Sequence, residues 1–174
     1  MLSPNLIAHG TLITTDMYQA LGVIAALYFF RQYLLEPTTG RAIVSGLVLA
    51  LSQLTKTFTV VLYFVVIAVL LIAVLRPSTR ASFSVKRLLV FAAAAAVSFI
   101  AVINCAYSFD RSFMRLGSYR FETKLFSRLQ QLPLASRLPV PVPYPYLQGL
   151  DMTKYSEETD RTYGYIYLLG ELRD

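Results

Sequence analysis

Residues 57–75, "TFTVVLYFVVIAVLLIAVL", hold no charge in nineteen positions, and residues 88–109, "LLVFAAAAAVSFIAVINCAYSF", hold none in twenty-two. A helical run of about 20 apolar residues crosses a hydrocarbon core of roughly 30 Å. The alternative is a pair of buried helices in a water-soluble domain, and composition argues against it. The chain is 56% apolar and only 15% charged, with a mean hydropathy of +0.54, whereas soluble domains carry about a quarter charged residues.

Two further segments fit the same reading. Asp16 stands in front of fourteen uncharged residues, 17–30, and the run extends to Leu35. Residues 42–55, "AIVSGLVLALSQLT", are shorter; at about 1.5 Å per residue they reach only some 21 Å, so polar groups must be drawn toward the bilayer at one end. Arg41 can snorkel outward on its long stem, and Lys56 then lies slightly below the interface. The expected fold is an all-α polytopic membrane protein. It has about four transmembrane helices in residues 1–109, over 16–35, 42–55, 57–75 and 88–109, followed by an extracytoplasmic region over 110–174.

The connecting loops orient this arrangement. "RQYLLEPTTGR" carries Arg31 and Arg41, and "RPSTRASFSVKR" carries Arg76, Arg80, Lys86 and Arg87. The positive-inside rule places both in the cytoplasm, which puts Asp16, Lys56 and 110–174 outside. The expected location is the plasma (inner) membrane, multi-pass. Residues 1–10 contain no Lys or Arg and no cleavage-like site, so insertion is expected to use the apolar segments themselves. Gly46 and Ala50, four apart, and Ala92 to Ala96 are small residues that let helices approach closely.

The region 110–174 differs in character. "DRSFMRLGSYRFETKLFSRLQQL" mixes apolar residues with Arg115, Arg120, Lys124 and Arg128, which suits either a helix in the interface plane or a surface helix on the protein's own body. In "LPVPVPYPYLQGLD", prolines 139, 141, 143 and 145 predict an extended segment with little regular structure, turning at Gly149. Tyr155, Tyr163, Tyr165 and Tyr167 suit either interfacial anchoring or stacking on a sugar.

Several function classes find no support in the residues. The net charge of +6 comes without the basic, aromatic-interleaved cluster of a nucleic-acid surface, so anionic lipid headgroups are the expected partners and nucleic acid is not. There is no Gly-rich phosphate loop, no Cys/His metal spacing, and no catalytic constellation around the single histidine, His9. Cys105 has no partner for a disulfide. Gln19, Gln53, Ser98 and Asn104 are too scattered to outline an ion pathway. Asp16 begins one predicted span and Lys56 follows another, so both lie at the outer face. There they can pair, grip a phosphate and its counter-ion, or simply anchor the helix ends.

"SPNLIAHGTLITTD", "ALSQLTKTFTVVLYFVVIAVLL" and "PVPYPYLQGLD…YLLGE", in that order, resemble integral-membrane GT-C glycosyltransferases. The branch they resemble is the protein O-mannosyltransferase and aminoarabinose-transferase-like group. The resemblance implies transfer of a sugar from a polyprenyl-phosphate donor to a protein or glycolipid acceptor at the outer membrane face. Carried over residue by residue, it makes Asp16 of "TTD" a catalytic carboxylate and Lys56 of the "TK" turn a donor-phosphate ligand. It also makes Tyr144, Tyr146 and Asp151 substrate-contacting residues. A divalent metal ion is a cofactor this group admits, with Asp16 as its ligand. The chain departs from the group in having no acid before Asp16 and about a third of its spans. It therefore reads as an internal or truncated fragment, expected to be inactive alone. A four-span scaffold or assembly subunit without catalysis is the alternative.

Overall fold

The computed structural model describes residues 15–76, 83–132 and 135–159 in full, and the backbone of 166–168 and 171–173. The chain divides into two compact units, Met1–Ser108 and Phe109–Asp174.

The first unit is helical. Helix α1 is Asp16–Leu35, α2 is Thr39–Ser52, a 3-10 turn at Thr57–Val60 leads into α3 at Val61–Leu75, and α4 is Val85–Ala106. Helix α2 packs against both α1 and α4. The core gathers Ala26, Phe30 and Tyr33 from α1, Ala42 and Leu49 from α2, and Phe91 and Ala95 from α4. Tyr33 stacks on Phe91 with ring centroids 4.7 Å apart, a geometry aromatic pairs favour. The phenol of Tyr33 donates to the backbone carbonyl of Arg87 at 3.0 Å, tying the end of α1 to the start of α4.

Glycine makes the α2–α4 contact possible. A Cβ at Gly46 would lie 2.9 Å from the backbone nitrogen of Ala95 and 3.0 Å from the carbonyl carbon of Ala94. The two backbones touch, as small-residue interfaces in lipid allow.

Two helices among the described residues, Thr57–Leu75 and Val85–Ala106, are long and apolar enough to cross a membrane, and Thr39–Ser52 is apolar but shorter. Their surfaces are apolar too. Of α3 only Leu62 and Val66 are buried, while Phe64, Ile67, Leu71, Ile72 and Leu75 are exposed.

Two helix starts differ from expectation in the same way. Helix α2 begins at Thr39 rather than Ala42, and α4 begins at Val85 rather than Leu88. In each case a hydroxyl caps the helix: Thr38 Oγ1 accepts from the amide of Arg41, and Ser84 Oγ accepts from that of Arg87. Such caps satisfy amides that the first turn leaves open. The cations that mark the predicted boundaries thus lie inside the first turns.

The chain passes into the second unit through a tight turn in which Ser108, Phe109, Arg111 and Phe113 all have positive φ. Leu138–Val140 then runs antiparallel to Phe113–Leu116. Phe113 N donates to Val140 O at 2.8 Å, Val140 N to Met114 O at 2.9 Å, and Leu116 N to Leu138 O at 3.1 Å. Pro139 and Pro141 lack donors, and Val140 between them supplies the one the pairing needs.

Two expectations are corrected in this unit. The helix expected across 110–132 is confined to α5, Lys124–Gln131, preceded by a 3-10 turn at Leu116–Ser118. The extended segment expected to reach Gly149 stops before Tyr144, where α6 (Tyr144–Thr159) begins. Pro145 falls in its first turn, where a missing amide proton costs nothing and the fixed φ suits a helix. Regular structure is therefore more extensive than the proline pattern implies. The backbones of β1 (Ile166–Leu168) and β2 (Glu171–Arg173) pair antiparallel, with Tyr167 opposite Leu172. Residues 1–14 with His9, Arg80, Tyr163, Tyr165 and the side chain of Tyr167 lie outside the described residues.

Candidate functional site

The turn after α2 is built from hydroxyls and one amide. Ser52 Oγ donates to Leu49 O at 2.7 Å, and Thr55 Oγ1 donates to Ser52 O at 2.7 Å. Gln53 is 3% exposed, and its side-chain amide donates to Leu49 O at 3.3 Å and to Thr59 O at 3.2 Å. Gln53 thereby joins the end of α2 to the 3-10 turn that opens the next helix. Across from this turn, Gly22 of α1 leaves just enough room: a Cβ there would lie 3.3 Å from Ser52 Cβ and Thr55 Cγ2.

This frame brings Asp16 and Lys56 together from forty positions apart, with Lys56 Nζ 3.1 Å from Asp16 Oδ1. Asp16 sits in the first turn of α1, and Thr15 before it provides no side-chain cap. The carboxylate thus engages the lysine while lying at the helix end whose dipole favours an anion. Both side chains are about half exposed, 61% for Asp16 and 47% for Lys56. An exposed pair of this kind is worth only about 0–1 kcal/mol, so neither group is locked away from a ligand.

Two buried atoms on residues flanking Lys56 in the chain need a partner. Gln53 Oε1 and Thr59 Oγ1 have none among the described residues, although both residues are 3% exposed. Buried polar atoms are almost always hydrogen-bonded, and here an amide oxygen and a hydroxyl of one turn are left without a partner among the described residues. Neither residue was singled out from the sequence as part of a site. The only signal was the polar density of "SQLTKT" between two apolar runs.

The remaining residues that the resemblance nominates lie in the second unit and have internal partners. Asp151 is 1% exposed. Its Oδ2 accepts from Glu122 N at 2.7 Å, and its Oδ1 accepts from Thr123 N at 3.2 Å and from Thr123 Oγ1 at 2.5 Å. The carboxylate thus holds the two residues that lead into α5, and the Thr123 hydroxyl donates to it rather than capping the helix. Tyr146 is buried. Tyr144 lies under the guanidinium of Arg111, 5.3 Å from ring centroid to Cζ, and against Tyr119. Burial pushes the Tyr119 phenol above its ordinary pKa, and its hydroxyl donates to Arg111 O at 3.4 Å. No group of three or more metal-ligating side chains occurs among the described residues.

Compared with family models, with curated proteins and with solved structures, the chain matches none.

Proposed function

We propose that this chain is part of a membrane glycosyltransferase that takes a sugar from a polyprenyl-phosphate donor, with Asp16 and Lys56 at the reacting end. The observation that carries the reading is the 3.1 Å approach of Lys56 to Asp16 over a turn holding the unpartnered Gln53 Oε1 and Thr59 Oγ1. A carboxylate there can deprotonate an acceptor hydroxyl. An ammonium beside it can stabilise the departing phosphate. The donor, a protein or glycolipid acceptor, and a divalent cation on Asp16 belong to this proposal.

The same reading makes the chain a multi-pass protein of the plasma membrane with α1 to α4 as four spans. Loops 31–41 and 76–87 face the cytoplasm, and 110–174 lies outside. In a Cys105→Ser background, Glu36→Cys is expected to react with an impermeant maleimide only after the membrane is opened, and Glu157→Cys in intact cells. The reverse labelling pattern would exclude this orientation.

Donor recognition is tested by binding. In nanodiscs, Lys56→Ala is expected to weaken retention of undecaprenyl phosphate about tenfold, the effect of losing one charge-assisted contact. Asp16→Asn, which removes the competing partner, should leave binding intact or tighten it. In the polypeptide that carries out transfer, Asp16→Asn is expected to lower turnover by about a hundredfold, within the range for a general base. Unchanged binding in Lys56→Ala together with unchanged turnover in Asp16→Asn would leave the non-catalytic scaffold as the better reading. The close contact at Gly46 is the observation on which that alternative stands.

A further inference from the structure

Helix α5 is attached to its unit by its polar side. Gln130 Nε2 donates to Leu116 O at 3.0 Å and to Tyr119 O at 2.6 Å, and Ser127 Oγ donates to Phe121 O at 3.4 Å. The Phe126 ring stacks on Phe121 with centroids 5.0 Å apart. At about 100° per residue, these three side chains fix the inward arc of the helix. The outward arc then carries Lys124 and Arg128 on one edge and Leu125 and Leu129 on the other, continued by Leu132 just past the helix end. The three leucines are 46%, 42% and 53% exposed. A helix lying on a protein core turns such residues inward; here two of the three inward anchors are polar and the leucines face out.

The rim of this face is cationic. An open cavity of about 500 Å³ brings Lys154 and Glu158 of α6 beside Lys124, Arg128 and the leucines, so three cations border the face with one acid. None of these four charged side chains forms an ion pair or a hydrogen bond among the described residues. Leucines on one half of an outward arc and long basic side chains on the other match the two layers of a lipid interface. The apolar half enters the acyl region while the cations reach back to the phosphates.

We propose that α5 docks on an anionic bilayer surface, with Leu125, Leu129 and Leu132 among the first carbons of the acyl chains and Lys124, Arg128 and Lys154 at the lipid phosphates. Charge selects lipid over a protein groove as the occupant, because the uncompensated excess of cations complements a layer of anionic headgroups. The docking rests on the chain being seated in a bilayer, as proposed above. It needs nothing of Asp16 and Lys56, or of which loops face the cytoplasm.

The chain contains no tryptophan, so Leu129→Trp supplies a single fluorescent reporter on this face. The full chain is reconstituted in nanodiscs of phosphatidylcholine and phosphatidylglycerol, with or without bromine in the upper part of the acyl chains. With the leucine face about 5–10 Å into the headgroup–acyl boundary, Leu129→Trp is expected to lose about half of its emission to the brominated lipid. Adding Lys124→Gln and Arg128→Gln should lower the ratio of docked to undocked helix about fivefold for each cation removed. Discs of phosphatidylcholine alone should lower it as well. Met152→Trp, two positions from Lys154 on α6 and so turned away from this face, should stay bright. Should Leu129→Trp fail to fold, as judged by circular dichroism, Leu125→Trp repeats the measurement. Emission that is neither blue-shifted nor quenched leaves the face in water and overturns the proposal. Blue-shifted emission that the bromines do not quench places the face against protein, a second copy included, and also overturns it. Equal quenching of Leu129→Trp and Met152→Trp, or quenching indifferent to phosphatidylglycerol, does the same. A chain that fails to enter nanodiscs removes the membrane reading and this docking with it, whereas an incorporated chain without quenching removes the docking alone.

Discussion

Asp151→Ala is expected to open the start of α5 and to make amide exchange at Glu122 and Thr123 about a hundredfold faster in the full chain. The carboxylate is the acceptor for two backbone amides and one hydroxyl, all meeting at a residue that is 1% exposed. Removing an acceptor from buried donors costs about 1–3 kcal/mol for each one left unsatisfied. Partial rescue by water leaves an expected loss of roughly 3 kcal/mol. Asp151→Asn keeps the shape and one acceptor but turns an amide group toward a donor, so it should fall between alanine and wild type. Ordinary exchange rates in Asp151→Ala would show that the carboxylate does not hold this segment. Sugar transfer that fails while exchange at Glu122 stays slow would assign Asp151 to substrate instead.

Gly46→Leu is expected to separate α2 from α4. A single added carbon meets backbone atoms at 2.9–3.0 Å, which cannot rotate out of the way. Overpacking of this kind costs about 1–3 kcal/mol in soluble cores. In lipid there is little hydrophobic drive to hold the pair together against it. Gly46→Ala should lower the thermal midpoint in detergent, and Gly46→Leu should lower it further or prevent accumulation of folded protein. Gly40→Ala is the control. Nothing lies within 4 Å of its added carbon, so it should be neutral or stabilise by about 0.5–1 kcal/mol as glycine leaves a helix. Equal behaviour of the two alanine variants would mean that the α2–α4 backbone contact is not a determinant of stability.

The long helices were legible because uncharged runs of nineteen and twenty-two residues leave the backbone few alternatives in lipid. The starts of α2 and α4 were misplaced because Arg41 and Arg87 look like boundaries, when the capping residues are the smaller Thr38 and Ser84 three residues earlier. Alternate prolines concealed α6, since a proline in the first turn of a helix is indistinguishable by composition from one that prevents a helix. Counting spans and loops put Asp16 and Lys56 at the same face, and their 3.1 Å contact was one of three alternatives left open there. The part played by Gln53 was not legible, because a lone glutamine gives no sign of which carbonyls it will reach. Asp151 was harder still. Its partners lie twenty-eight and twenty-nine positions away, and a carboxylate among tyrosines reads equally as a ligand for a sugar or for a helix end.

The difference in length between α2 and α4 has a further effect. Beyond the contact of Gly46 with Ala95, six residues of α2 and eleven of α4 remain, about 9 Å and 17 Å of helix respectively. The Ser52–Lys56 turn therefore comes about 8 Å short of the level that α4 reaches. In the four-span arrangement proposed above, a bilayer meets such a step by thinning and by drawing headgroups and water inward. A lipid phosphate pulled down with them would arrive at the depth of Lys56 without leaving its leaflet.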